Sequence, residues 1–332
     1  MNAKSLQPVI RIGLWGAPGS GKTTFLAALN AAMLHAQSSG NGTWTVRGAG
    51  DADEFLVRNT NILTIQRRFP PASQVITQMS WRFNGDLGNS RLAGRVRVPL
   101  GGTRYVEFRL DLQDVPGGYY RDDAFGGWGD AGQGAGLSEV DWEHIVQHLA
   151  RCDALVYLFD PVREARYGDS FEFFQGTLQR VARRADEWGR LRGPRLPHHL
   201  AVCVTKFDHP TVFHRAVKAG FVTQDSDDPM LPRVGHGHAR QFFERVCKDL
   251  PGATAEFVKL AIETNFDAAR VAYFVTSSVG FWVGQSGRVD LEDCFNVNTV
   301  DGEEQIRGRV RPINVLEPLV WLQTKVSSAA GR

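Results

Sequence analysis

The stretch Gly16-Ala17-Pro18-Gly19-Ser20-Gly21-Lys22-Thr23 follows an apolar run, Val9 to Trp15, and opens a periodic segment marked by Phe25, Leu26, Leu29 and Met33. Strand, glycine-rich loop, helix is the context in which the spacing GxxxxGK[ST] forms a phosphate cradle. Glycines let consecutive backbone N–H groups turn inward around an anion, and the following helix presents the positive end of its dipole. In that geometry Lys22 reaches the outer phosphates and the Thr23 hydroxyl ligates Mg²⁺. The expected phosphate contacts are Gly16, Pro18, Gly19, Ser20, Gly21, Lys22, Thr23 and Thr24. The ligand class this predicts is a nucleoside triphosphate.

Bulk properties narrow the alternatives. The chain has 332 residues, 42% hydrophobic and 22% charged, an ordinary globular composition. A formal charge of +2 argues against a general nucleic-acid footprint. Arginines cluster at Arg180, Arg183 and Arg184 and again at Arg190, Arg192 and Arg195, which on a helix predicts a solvated face. No apolar run approaches the roughly 18 residues of a membrane span, and MNAKSLQPVI lacks the apolar core of a signal peptide. A cytoplasmic location is the expectation. Cys152, Cys203, Cys247 and Cys294 show no CxxC spacing, so reduced thiols are expected and not a metal site. His236-Gly237-His238 and the acids Asp225, Asp227 and Asp228 lack the spacing of zinc or calcium modules and read as polar loop residues.

Outward from the loop, the first helix runs from about Lys22 to about His35, and a second from Asp51 to Arg68, stopped by Phe69-Pro70-Pro71. Thr77 to Phe83, Arg95 to Val98 and Tyr105 to Leu112 read as strands. Eight glycines fall between Gly117 and Gly136. Ser138-Glu139-Val140-Asp141 then opens a helix with the stripe Trp142, Ile145, Val146 and Leu149. Asp153 to Asp160 and His199 to Val204 are continuous apolar runs of strand length, separated by a long amphipathic helix carrying Phe171, Phe174, Leu178, Val181 and Trp188. A polar excursion to about Gly237 precedes helices at Ala239 to Leu250 and Ala253 to Phe266, a last strand at Arg270 to Val275 and a loop-rich stretch from Phe281 to Pro312. The closing helix takes Asn314 as its cap, with Val315, Leu319, Leu322 and Val326 on its stripe. Alternating strands and helices predict one α/β domain over residues 6–330, a mostly parallel sheet with helices on both faces, and insertions at about 38–60, 209–238 and 281–312.

In such a sheet ligands sit beyond the carboxyl ends of the strands, where three further motifs fall. Asp114-Val115-Pro116-Gly117 ends a strand; its carboxylate suits Mg²⁺, through water, and the Gly117 N–H a γ-phosphate. Thr205-Lys206-Phe207-Asp208 ends another. A carboxylate at Asp208 can accept from the guanine N1–H and amino group together, a donor pair adenine lacks. The Lys206 stem can lie along the base. Thr276-Ser277-Ser278 ends the last strand, where a backbone N–H of Ser277 or Ser278 can meet guanine O6.

The order GxxxxGKT, DxPG, TKxD and a serine-bearing strand end resembles the translation-factor-related and Ras-like branch of P-loop GTPases over about Val9 to Val326. Phe69-Pro70-Pro71-Ala72-Ser73 and Asn314 to Leu319 resemble, more narrowly, bacterial double-GTPase proteins. The resemblance implies a G domain binding GTP or GDP with Mg²⁺, two switch segments, and a protein effector or second GTPase-like partner. Ser73, or else Thr77, would close on Mg²⁺ with Thr23 and Asp114, while Lys22, Asp114 and Gly117 would serve hydrolysis. Two positions depart from the pattern. Gly118 stands where glutamine or histidine positions the attacking water, and serine stands where threonine is usual in the first switch. Arg67, Arg68 and Arg121 are the arginines near these loops that would supply charge in cis.

Two rival functions fit parts of the pattern. Asp160 after its apolar run would equally serve as the Mg²⁺ aspartate of an ATPase or small-molecule kinase. Gly118 and the glycine-rich segment would equally suit a nucleotide-bound interaction module with little turnover.

Overall fold

The computed structural model describes residues 9–38, 40–71, 77–88, 90–96, 105–114, 139–224, 231–285 and 287–330. In chain order the elements are β1 (Ile10–Gly16), α1 (Lys22–Leu34), β2 (Thr43–Gly48), α2 (Ala52–Thr64), β3 (Thr77–Asp86), α3 (Arg91–Arg95), β4 (Tyr105–Asp114) and α4 (Glu139–Arg151). Then come β5 (Ala154–Phe159), α5 (Pro161–Tyr167), α6 (Ser170–Glu187), β6 (His199–Val204), α7 (Pro210–Lys218), β7 (Val222–Gln224) and β8 (Pro232–Val234). The chain continues through α8 (His236–Asp249), α9 (Thr254–Asn265), β9 (Val271–Val275), β10 (Val297–Val300), β11 (Glu303–Ile306) and α10 (Glu317–Ala330).

Among the described residues, seven strands form one sheet in the order β2-β3-β4-β1-β5-β6-β9. The five from β4 to β9 are parallel, and β2 and β3 add antiparallel at the β4 edge. This is the mostly parallel α/β sheet that the alternating pattern predicts. The central strands are continuous apolar runs because both faces are covered. Alternation along β5 sends Ala154, Val156 and Leu158 into a core with α1 and α10. Leu155, Tyr157 and Phe159 enter a second core on the opposite face, with α4, α6, α8 and α9.

α1 is buried nearly all round. Its Ala27 and Ala28 join a third cluster with Leu63, Val279, Ile306 and Val310, and Asn30 Nδ2 donates to Thr60 Oγ1 of α2 at 3.0 Å. Small side chains allow that close approach, and the buried amide is satisfied by its hydroxyl partner.

Several expected boundaries move. α2 stops at Thr64 rather than Arg68, and Arg67 adopts φ 56, a left-handed turn away from the helix. β2 lies inside the expected 38–60 insertion; Trp44 packs so tightly on Gly85 that a Cβ there would sit 2.7 Å from its ring. Arg95 belongs to short α3 and not to a strand. The single long helix after β5 is two, α5 and α6, broken at Gly168 with φ 61, and Trp188 is exposed at the end of α6. The polar excursion after β6 contains α7 and the β7–β8 hairpin, and the 281–312 stretch contains the β10–β11 hairpin. Asn314 does not cap α10. It takes φ 52, donates to Val275 O at 2.8 Å and accepts from Arg233 Nη1 at 2.7 Å.

Candidate functional site

Register aligns the strand ends. Gly16 of β1 pairs with Leu158 of β5, Phe159 with Val204 of β6, and Val204 with Val275 of β9. The segments after β1, β5, β6 and β9 therefore leave one edge of the sheet, its carboxyl edge.

After β1, Gly19 and Gly21 take φ 70 and 89, the left-handed region where a Cβ is strained. Ser20 N donates to Ala17 O at 3.0 Å and closes the turn. Lys22 Nζ donates back to Gly16 O at 3.0 Å and Ala17 O at 3.3 Å, so the loop wraps its own ammonium. At Gly16 an added Cβ would stand 2.6 Å from Ser20 Oγ and 3.0 Å from Leu158 O. Ser20 Oγ is buried without a hydrogen-bond partner, and α1 begins at Gly21 with no side-chain cap. A buried ammonium, an orphaned hydroxyl and an uncapped helix N-terminus are donors suited to a phosphate chain. Thr23 and Thr24 are half-buried in the first turn, and Pro18 is half-buried in the loop.

The segments after β6 and β9 are bonded to each other. Thr276 N donates to Val204 O at 2.8 Å, and Phe207 N to Thr276 O at 3.0 Å. Thr205 reaches the other way, its N and Oγ1 donating to Phe159 O at 2.8 and 3.2 Å. Asp208 is 5% exposed; its Oδ1 accepts from Ser277 Oγ, which itself accepts from Gly280 N at 2.7 Å. Burial pushes the Asp208 carboxyl up to about 6, against the opposing pull of the Ser277 hydrogen bond. A buried carboxylate with one oxygen on a hydroxyl keeps its remaining acceptor capacity for donors arriving from outside.

Lys206 sits at φ 55 with Nζ 2.8 Å from Asp160 Oδ2. Asp160 Oδ1 meanwhile accepts from Val162 N and Arg163 N at 2.9 and 3.0 Å, capping α5. Both Asp160 oxygens are thus engaged in the unliganded structure, one by the helix cap and one by the Lys206 ammonium. Neither the cap nor the ion pair was anticipated. Asp160-Pro161, a cap residue before proline at the first helical position, carried the signal for the cap; no local signal exists for a pair 46 positions apart.

Not every expected contact is available. Ser277 N donates to Ile313 O at 3.1 Å, so it is not the N–H for a guanine O6; Ser278, half-buried beside it, takes over that candidacy. Ser73, Gly117, Gly118, Arg121 and the side chains of Thr77 and Asp114 lie outside the described residues; the Asp114 backbone ends β4 opposite Thr77. Arg67 O accepts from Ile306 N at 2.9 Å, and Arg68 bridges Gln305, so the chain entering the expected first switch is tied to β11.

The histidine pair is helical and not in a loop. His236 stacks on Phe274 with ring centroids 5.1 Å apart, and His238 lies 5.8 Å from Phe221. Residues two apart on a helix face different directions, so the pair does not chelate. The arginine cluster is less solvated than its pattern suggests. Arg180 lies over Trp142 at 5.1 Å, Arg184 bonds Glu143 and Glu187, and Arg190 bonds the carbonyls of Ala150 and Cys152. No helix among the described residues is long and apolar enough to cross a membrane.

No family model matches the chain, and neither does any curated protein. Solved structures similar to it include two GTP-bound ones. One, the signal recognition particle receptor SRb-GTP/SRX complex from Chaetomium thermophilum, is 12% identical with TM-score 0.36, covering 84% of this chain and 94% of that one. The other, the S. cerevisiae Ski7 GTPase-like domain bound to GTP, is 13% identical with TM-score 0.37, covering 97% of this chain and 51% of that one.

Proposed function

We propose that this chain binds guanine nucleotide and, as a slow GTPase, cycles between GTP and GDP forms that a partner protein reads. The observation that carries the reading is the placement on one sheet edge of two sites. One is the loop around Lys22, with its orphaned Ser20 hydroxyl. The other is the buried Asp208 carboxylate held by Ser277. The first is chemically suited to a triphosphate, and the second discriminates guanine from adenine by its acceptors.

In this reading Gly16, Pro18, Gly19, Ser20, Gly21, Lys22, Thr23 and Thr24 hold the phosphates, and Thr205, Lys206, Asp208 and Ser278 surround the base. Thr23, Asp114 and Ser73 would hold Mg²⁺, which when bound neutralises charge on the β- and γ-phosphates. Lys22 would exchange the carbonyls of Gly16 and Ala17 for phosphate oxygens, and Gly117 would sense the γ-phosphate. Gly118 offers no side chain to orient water, so turnover is slow unless a partner supplies that group, an effector or a second GTPase-like protein. The engagement of both Asp160 oxygens weighs against the ATPase alternative.

The test is competition of GTP, GDP and ATP for the purified chain, with phosphate release measured in single turnover. Preference for GTP over ATP of at least about 100-fold is expected, with release abolished in Lys22→Ala. Equal affinity for ATP overturns the guanine reading; undiminished release in Lys22→Ala overturns the mechanism.

A further inference from the structure

Away from the nucleotide edge, α4 lies across β4 and β1 with a polar cluster beneath it. Asp111 of β4 is buried, and its register partner on β1 is Gly13. Above that glycine sits Cys152 Sγ, 3.1 Å from where a Gly13 Cβ would be. His148 lies four residues before Cys152, one helical turn away on the same face. The donor atoms of Asp111, His148 and Cys152 all fall within 4.8 Å of one another.

We infer that these three residues form a zinc site that ties α4 to the sheet. Sulfur, imidazole nitrogen and carboxylate oxygen together select zinc over magnesium or calcium, which favour all-oxygen shells. The surrounding groups already orient the donors. Asp111 Oδ1 accepts from Ser80 Oγ at 2.6 Å and Arg109 Nε at 2.8 Å. Its Oδ2 lies 3.9 Å from Arg11 Nε and is the oxygen that would turn to the metal. His148 Nε2 is buried with no hydrogen-bond partner, while Nδ1 lies 3.4 Å from the Gln78 amide. The atom facing Nδ1 is Gln78 Nε2; a flip of that amide puts its oxygen there to accept from Nδ1–H, and His148 Nε2 then presents its lone pair, the outer-shell pattern of zinc-bound histidines.

Ligand atoms around tetrahedral zinc stand about 3.5 Å apart, so closing the cluster requires side-chain rotations of about 1 Å. Binding displaces the Cys152 thiol proton to solvent, so that the thiolate adds a negative charge to the Asp111 carboxylate, which Arg109 and Arg11 also face. The fourth position remains for water. The cysteine spacing along the sequence contains no hint of this, because the donors come from the last turn of α4, the residue that follows the helix, and a strand 37 positions before His148.

The test uses the full chain, stripped with a chelator, titrated with Co²⁺ and followed by absorption, then with Zn²⁺ in competition. One equivalent is expected, with a thiolate-to-cobalt charge-transfer band that Zn²⁺ bleaches. Cys152→Ser removes the band, His148→Ala weakens binding at least about 100-fold, and Ser80→Ala weakens it about 10-fold through the lost Asp111 contact. Cys203→Ser, buried elsewhere, leaves the band intact. Should Cys152→Ser fail to fold, the half-buried His148→Ala carries the test. Absence of the band in the unmodified chain, its survival in Cys152→Ser, or binding unchanged in His148→Ala overturns the proposal.

Discussion

Replacing Asp208 by asparagine separates the cost of that carboxylate from its use. Its pKa rises from 3.8 to about 6 through burial, roughly two units. At about 1.4 kcal/mol per unit, ionised Asp208 costs the unliganded fold about 3 kcal/mol. Because the folded pKa lies above the unfolded one, the native state binds the extra proton between about pH 4 and 6. The stabilising contribution is fully present below pH 3.8, is lost as pH rises through 6, and stays lost at neutral pH. Asparagine keeps an oxygen for the Ser277 hydroxyl and carries no charge. Asp208→Asn without nucleotide is therefore expected to be more stable than wild type by up to about 3 kcal/mol at pH 7.5, the difference vanishing near pH 4.

Guanine binding moves the other way. Two charge-assisted hydrogen bonds are lost, each worth about 1.5–3 kcal/mol, and the asparagine amide meets donors with a donor. GTP affinity falls at least about 100-fold, and xanthosine triphosphate gains relative to it. Denaturant unfolding at pH 4.5 and 7.5, with titration of a fluorescent GTP analogue, measures both. Burial holds His198 down to about 3 and His199 to about 4, so both proteins lose stability as pH falls below 6.5. That background cancels in the difference. A variant destabilised at pH 7.5, or one binding GTP undiminished, refutes the reasoning.

Lys22→Ala removes the loop's internal bonds to Gly16 and Ala17 from the unliganded protein, each worth about 1 kcal/mol; a modest loss in urea unfolding is expected, while triphosphate affinity measured by calorimetry collapses. Gly16→Ala places a methyl 2.6 Å from Ser20 Oγ and 3.0 Å from Leu158 O; nucleotide binding is expected to fail at an ordinary far-ultraviolet dichroism spectrum. Phe108, fully buried and stacked on Phe83 with centroids 5.0 Å apart, anchors the β3–β4 side of the core; Phe108→Ala should cost about 3–5 kcal/mol in urea unfolding.

Local pattern accounts for most of the sheet. β5 and β6 read directly because burial on both faces makes them unbroken apolar runs, and the glycine loop read directly because its conformation needs those residues. What escaped were elements without a strong local signature. Thr43–Gly48 is an edge strand whose alternation is short, and its partner β3 begins nearly thirty residues later. α7 has nine residues and a histidine cap, too little period to stand out from polar surroundings. Asn314 looked like a helix cap because of its residue type. Its hydrogen bonds to β9 and Arg233 claim it instead.

The candidate site divides the same way. That glycine, lysine and threonine cluster after a strand, and that an aspartate ends another, was written in residue order, since conformational freedom and donor chemistry are properties of single residues and their neighbours. Folding decided which of those residues are committed to one another. Ser277 turned out to hold Asp208, Lys206 to pair with Asp160, and Asp111, His148 and Cys152 to meet under α4. Such pairings join positions tens of residues apart, and only the register of neighbouring strands and the packing of helices on them brings the groups within reach.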